Sequence, residues 1–372
     1  MDGTLQNVPP ITLRPRQSLE CGKTGQAALE FTPGEDGIRL TYGNQVQGLT
    51  VAVSADRRAL FNDYTQQDAG ALVLKDLKLR GQMQFLVRDQ LRSADLSLDN
   101  VFISDADSRT RPDVATGNGV AVLQGAITIW NQQAGAASKV SCRLKGIRIG
   151  SPDTPVKGSG IFLSGCASPD GDALDVQCLD VDTAYADSGL PEGTTGLVAA
   201  AVFVLQNARA KQVHCRGDVQ TLGPNCVALD NWGEVEEWIA EADVVSHGPS
   251  AVAIINAGSL GRLRVMGRVE TFGQGARCIS IYNDTGTLEF KSLCTRGNGA
   301  TAVQVTRELK KLVVRNGIET YGGQGEALVK GRVEVLRADC IEIEPAGRIE
   351  EWSIGGPLNA HGQGMKVVHA HK

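Results

Sequence analysis

The feature that most constrains this chain is a seven-residue phrase that returns at a nearly fixed step. Gly217-Asp-Val-Gln-Thr-Leu-Gly223 is followed by Ala242-Asp-Val-Val-Ser-His-Gly248, Gly267-Arg-Val-Glu-Thr-Phe-Gly273, Lys291-Ser-Leu-Cys-Thr-Arg-Gly297 and Asn316-Gly-Ile-Glu-Thr-Tyr-Gly322. The closing glycines stand 25, 25, 24 and 25 residues apart, and a sixth phrase, Gly356-Pro-Leu-Asn-Ala-His-Gly362, closes 40 residues later. A fixed period of this length is the mark of a solenoid, in which each repeat buries its apolar side only by stacking on its neighbours. A chain of 372 residues built this way needs no second core, so one elongated domain is expected.

Each coil carries three apolar stretches. The first is the Val-x-Thr run within the phrase. The second is read at Cys226-Val-Ala-Leu229, Ala251-Val-Ala-Ile254, Cys278-Ile-Ser-Ile281, Ala302-Val-Gln-Val305 and Ala327-Leu-Val329. The third is read at 235–239, 260–265, 288–290, 309–314 and 333–336. Strand-length alternations punctuated by glycine and asparagine, with no helical periodicity, point to an all-β chain. Three short strands per coil of 24–25 residues are the pattern of a parallel β-helix. Residues 1–24 read as an N-terminal arm or cap and 25–372 as the β-helix, with polar loops at 104–118 and 184–196 protruding to shape one face. Two alignments are expected to run along the axis: small residues at Cys226, Ala251, Cys278, Ala302 and Ala327, and a corner ladder of Asn207, Asn231, Asn256 and Asn283.

With three strands per coil, aliphatic stacks and a corner asparagine ladder, the chain resembles the right-handed parallel β-helix superfamily of pectin lyases, polygalacturonases and phage tailspikes. It also looks like a set of uncharacterised bacterial β-helix proteins through Gly223-Pro-Asn-Cys-Val-Ala-Leu-Asp-Asn-Trp-Gly233, Ser246-His-Gly-Pro-Ser250 and Thr271-Phe-Gly-Gln-Gly-Ala-Arg277. The catalytic motifs of polygalacturonases and the clustered aspartates of calcium-dependent pectate lyases do not occur, so the resemblance carries over architecture without chemistry.

Strand alternation supplies candidate residues. With Val219, Thr221, Val269, Thr271, Ile318 and Thr320 facing inward, Glu270 and Glu319 face outward, flanked by His247, Phe272, Arg296 and Tyr321. On the second strand Gln206, Asp230, Ile255 and Tyr282 are expected to face outward just before the asparagine corner. Glycoside cleavage requires two carboxyl groups, for which Asp230 and Glu270 are the candidates. Lyase or epimerase chemistry requires a base and an anion contact, for which His247 and Arg296 serve. Trp232, Asn256, Phe272, Tyr282 and Tyr321 are the expected sugar-binding residues, through stacking and hydrogen bonds.

The expected function is therefore a carbohydrate-active β-helix, a glycan hydrolase, lyase or related enzyme with its site on the outer face. The alternative is a structural or glycan-binding β-helix that self-associates, for instance as a trimer. A formal charge of −5 excludes a general basic field for nucleic acid or anionic membrane. No metal-ligand spacing or cofactor motif is read. Nine cysteines scattered without a CxxC pair fit packing roles in a reducing compartment, so the cytoplasm is the expected location, with a mature secreted form as the alternative.

Overall fold

The computed structural model describes residues 3–21, 27–168 and 170–371, and among them every regular element is a strand. The chain is a single parallel β-helix. One face runs through Cys226–Asn231, Ile254–Asn256, Ile279–Ile281, Val303–Val305, Ile341–Ile343 and Val368–Ala370, each paired in parallel with the next. A second is formed by the phrase itself, Val219–Leu222 on Val244–Ser246 and onward to Leu358–Ala360. The third continues from Glu234–Ala240 through 259–265 to Arg348–Ile354. Long strands such as Ser259–Thr271 run round the corner between the third face and the phrase, with a register break between Val265 and Arg268.

The interior follows from the alternation. Val219, Val244, Val269, Leu293 and Ile318 stack at no more than 1% exposure, and Thr221, Ser246, Thr271, Thr295 and Thr320 beside them are equally buried. A buried hydroxyl needs a partner, and most of these have one: Thr221 Oγ1 and Ser246 Oγ lie 2.9 Å apart, and Thr320 Oγ1 donates to the Ala338 carbonyl at 2.5 Å, whereas Thr295 Oγ1 is unpartnered. The buried cysteines pack as small apolar groups, with the thiol of Cys215 pushed by desolvation up to about 12.

The stretch expected as an extended arm, cap or first edge strand takes the strand form, with Gly3–Val8, Ile11–Thr12 and Ser18–Glu20 paired in parallel with the coil above. Three details of the expected register change. The irregular 40-residue step arises because Gly325–Val329 and Arg332–Leu336 pair with each other as an antiparallel hairpin outside the coil, and the second strand resumes at Ile341. The small-residue column is Ala228, Ala253, Cys278, Ala302 and Cys340, since Leu229, Ile254, Ile279, Val303 and Ile341 are the paired positions that follow them. A shift of two residues keeps the same face, so alternation alone does not detect it. The asparagine ladder has two rungs. Asn231 Nδ2 donates to Asn256 Oδ1 at 2.8 Å, and Asn256 Nδ2 donates to Thr285 Oγ1 at 2.8 Å. Asn207 instead caps a left-handed corner at φ 55°, and Asn283 is exposed.

Asn256→Ala removes a fully buried amide between two partners and is expected to lower stability by about 1–3 kcal/mol, read as a lower urea midpoint. Asn283→Ala, at the exposed corner, is expected to stay within about 0.5 kcal/mol of wild type.

Candidate functional site

The outer side of the Cys226–Asn231 face carries a second apolar cluster, separate from the interior. Phe162, Phe203, Val227, Trp232 and Val252 form it, and Ala115, Val120 and Val122 cover it. These covering residues belong to a hairpin of Ala115–Gly117 and Val120–Val122, which lies partly within the loop expected at 104–118. Its backbone comes so close that a Cβ on Gly117 would lie 2.8 Å from the Trp232 ring and 2.0 Å from Gln206 Nε2.

The second hairpin, 325–336, approaches from the other side. Both tips turn through left-handed pairs, Asn118 and Gly119 at φ 50° and 84°, Lys330 and Gly331 at φ 47° and 78°. Such pairs belong to tight hairpin turns of the primed type. The tips touch: a Cβ on Gly119 would lie 2.7 Å from the Lys330 carbonyl oxygen, and one on Gly331 would lie 2.5 Å from that of Gly119. The 325–336 hairpin is pinned to the solenoid where Leu328 N donates to Ser250 Oγ at 2.8 Å and Leu328 O accepts from Arg277 Nη2 at 2.9 Å.

Beneath the two tips lies a cavity of about 60 Å³ floored by Val227, Asp230, Val252 and Ile255 and walled by Trp232, Arg277 and Tyr282, with Lys330 in the roof. Hollows of about 280 Å³, beside Glu192–Thr195 of the loop expected at 184–196, and about 350 Å³, beside Arg332 and Glu334, share lining residues with it. The whole forms a groove with a roofed waist.

Two buried ionisable groups face this waist. Asp230 is 1% exposed, and its Oδ1 has no hydrogen-bond partner. Burial pushes its carboxyl well above the usual carboxylate range, only partly offset by the Trp232 indole N–H. Arg277 is also 1% exposed, and none of its hydrogen-bond partners among the described residues is a carboxylate. Its Nη1 donates to Tyr282 Oη at 3.0 Å and Gln304 Oε1 at 2.8 Å, its Nη2 donates to a carbonyl, and its Nε is unpartnered. Lys330 Nζ lies 4.4 Å from the centre of the Tyr282 ring. Asp230 and the Arg277 strand are two coils apart, about 10 Å at the spacing of neighbouring strands. The site thus places a buried carboxyl, whose hold on its proton desolvation strengthens, and a buried guanidinium with no carboxylate partner in the lining of one cavity.

The residues expected from sequence divide between this waist and another place. Asp230, Trp232 and Tyr282 line the cavity. Trp232 is 9% exposed and edge-on to Phe203 at 5.0 Å, so it is a packing residue and no open platform. Asn256 is consumed by the buried ladder. Glu270, His247, Arg296, Phe272 and Tyr321 sit on the phrase face, so the expected Asp230 and Glu270 pair lies on two different sheets. Glu270 is gripped by Arg296 at 2.9 Å and Arg268 at 3.5 Å. His247, Phe272, Arg296, Tyr321 and His361 occupy one column: His247 stacks on Phe272 at 4.9 Å, Arg296 lies 4.4 Å over Tyr321, and Tyr321 stacks on His361 at 4.4 Å.

Sequence reading missed Arg277 and Lys330. A signal for Arg277 exists: it follows Val227 and Val252 at steps of 25, a charge in an apolar column. Aligning Cys278 with Cys226 hid it. No protein-family profile matches this chain, and neither a curated protein nor a solved structure shows significant similarity to it.

Asp230→Asn keeps the side-chain volume and removes the titration. Because the folded value lies above the 3.8 of an ordinary aspartate, the contribution of Asp230 to stability is fully present below pH 3.8 and is lost as pH rises through the folded value. The wild type is expected to weaken relative to Asp230→Asn as pH climbs above about 4, by about 1.4 kcal/mol per pH unit, until Asp230 ionises in the folded protein. Thermal unfolding of both proteins across that range measures the widening gap.

Proposed function

We propose that this chain is a carbohydrate-active β-helix of the pectin-lyase-like kind that takes an acidic glycan across the roofed waist and cleaves it by β-elimination. The observation that carries the reading is the buried guanidinium of Arg277, without a carboxylate partner, sharing a cavity with Asp230, a buried carboxyl with an unpartnered oxygen. A buried cation without a carboxylate is costly unless a ligand supplies the anion. A uronate carboxylate meets Arg277 and Lys330, which draw charge from the ring and make its α-hydrogen more acidic. Tyr282, once its own hydroxyl proton has passed to solvent and its phenolate is held by the Arg277 guanidinium, takes that proton and becomes the neutral phenol. The electron pair left behind forms the ring double bond, the bond to the glycosidic oxygen breaks, and Asp230 delivers its proton to that oxygen.

Hydrolysis is less well supported, because it uses two carboxyls flanking the bond, and Asp230 is the one carboxyl among the residues lining the cavity. Glycan binding without turnover is the second reading, favoured by a waist of about 60 Å³, which holds a carboxylate and part of a ring more readily than a whole disaccharide.

Oligogalacturonate and its neutral, reduced counterpart separate these readings. Wild type is expected to bind the acidic chain and to release an unsaturated, ultraviolet-absorbing end. Arg277→Met and Lys330→Met are expected to weaken binding at least about tenfold, the loss of roughly 1.4 kcal/mol or more that one charged hydrogen bond implies. Asp230→Asn is expected to bind but not cleave, whereas Glu270→Gln is expected to do both. Binding without an unsaturated product supports the second reading, and equal binding of acidic and neutral chains refutes both.

A further inference from the structure

At the far end of the same outer face, Glu342, His369 and His371 come together on adjacent coils. His369 is paired in register with Glu342, and His371, two residues on, lies on the same side of its strand. The two imidazole centres are 4.3 Å apart, and one donor atom from each of the three residues lies within 4.8 Å of the others. We propose that this cluster is a site for a divalent transition-metal ion, bound through two imidazole nitrogens and one carboxylate oxygen.

The surroundings are those of a built site. His369 Nδ1 lies 3.0 Å from Oδ2 of Asp339, a fully buried carboxylate that also accepts from Arg337 Nε at 2.8 Å. A carboxylate behind an imidazole fixes its tautomer and orientation, so His369 offers Nε2 outward. Glu342 is 4% exposed, and its Oε2 accepts from Gln304 Nε2 at 3.4 Å, which leaves Oε1 to the cluster. His371 Nε2 lies 3.1 Å from that Oε1. Two ligand bonds of about 2.0–2.1 Å spanning that separation would meet at about 100°, within the range of tetrahedral and octahedral ions. Imidazole donors select zinc, cobalt, nickel, copper or iron over calcium and magnesium, which favour all-oxygen sets. Three protein donors leave at least one position for water or an anionic ligand.

The site is also wired to the waist. Gln304 holds Glu342 with its amide nitrogen and Arg277 with its oxygen, at 3.4 and 2.8 Å. An ion on Glu342 would therefore hold the side chain that positions the buried guanidinium. The remaining histidines lie elsewhere: His214 pairs with Glu241, His361 with Glu319, and His247 stacks on Phe272.

The test uses the full chain without added histidines, stripped with chelator and titrated with zinc by calorimetry and with cobalt by visible absorption. One ion per chain is expected. His371→Ala, at a partly exposed position that tolerates truncation, and His369→Ala are each expected to weaken binding at least tenfold and to alter or abolish the cobalt bands. Asp339→Asn is expected to weaken binding about 10–100-fold while keeping one ion per chain. Zinc is expected to raise the unfolding temperature of wild type and not of His371→Ala. No ion bound, binding unchanged in both histidine variants, or loss on His247→Ala or His361→Ala instead would overturn the assignment. The titration needs no sugar, so its outcome is independent of the lyase reading.

Discussion

Parallel stacking at one strand spacing governs this molecule. Each coil lies about 4.8 Å from the next, so every side chain is sandwiched between the residues one period before and after it. Inside, that constraint produces columns of valine, leucine, isoleucine and threonine. Outside, it makes charge neutralisation a matter between coils: Asp180 with Arg216, Asp243 with Arg268, Glu270 with Arg296, Glu289 with Arg262 and Glu308 with Arg348. Most of these pairs are part-exposed and each contributes little on its own, but together they keep like charges from meeting along a column. Against that background Asp230 and Arg277 stand apart, because both are buried and neither has a charged partner in the coil above or below.

What buries them is a departure from the period. Residues 106–124 and 325–337 are insertions that leave the coil and return to it, and each contains a short antiparallel hairpin. The hairpins meet tip to tip over one face, where left-handed turn residues allow backbone to approach backbone. The regular coils supply a flat, repetitive floor, and the insertions convert a stretch of it into an enclosure where desolvation alters the protonation of a carboxyl. An open solenoid face, in contact with water throughout, does not provide such a low-dielectric setting.

The fold was largely legible because a period of 24–25 residues is written directly in the phrase from Gly217 to Gly322. Register within the second strand was less so, since a slip of two residues leaves inside and outside unchanged, and the column of Ala228, Ala253 and Cys278 was read two residues off in its first two members. The 325–336 hairpin has the same β-forming composition as a coil strand, and only the 40-residue step marks it as an insertion. Alternation placed Asp230 and Tyr282 on the outer side of the second strand, where both line the cavity. Glu270, His247 and Arg296 lie on a different sheet from Asp230, because outward direction was legible in the alternation while the choice of face and the presence of a roof were not. Lys330 and the grouping of Glu342 with His371 depend on how insertions and last coils return, which no local pattern encodes.

The central claim is that the roofed waist, and not the open aromatic column of the phrase face, is where ligand binds. A crystal structure of the chain with an oligogalacturonate tests it most directly. The account predicts a uronate carboxylate against Arg277 and Lys330 beneath the two hairpin tips, with a glycosidic oxygen facing Asp230. A glycan lying instead along Phe272 and Tyr321, with the waist filled only by water, would contradict it.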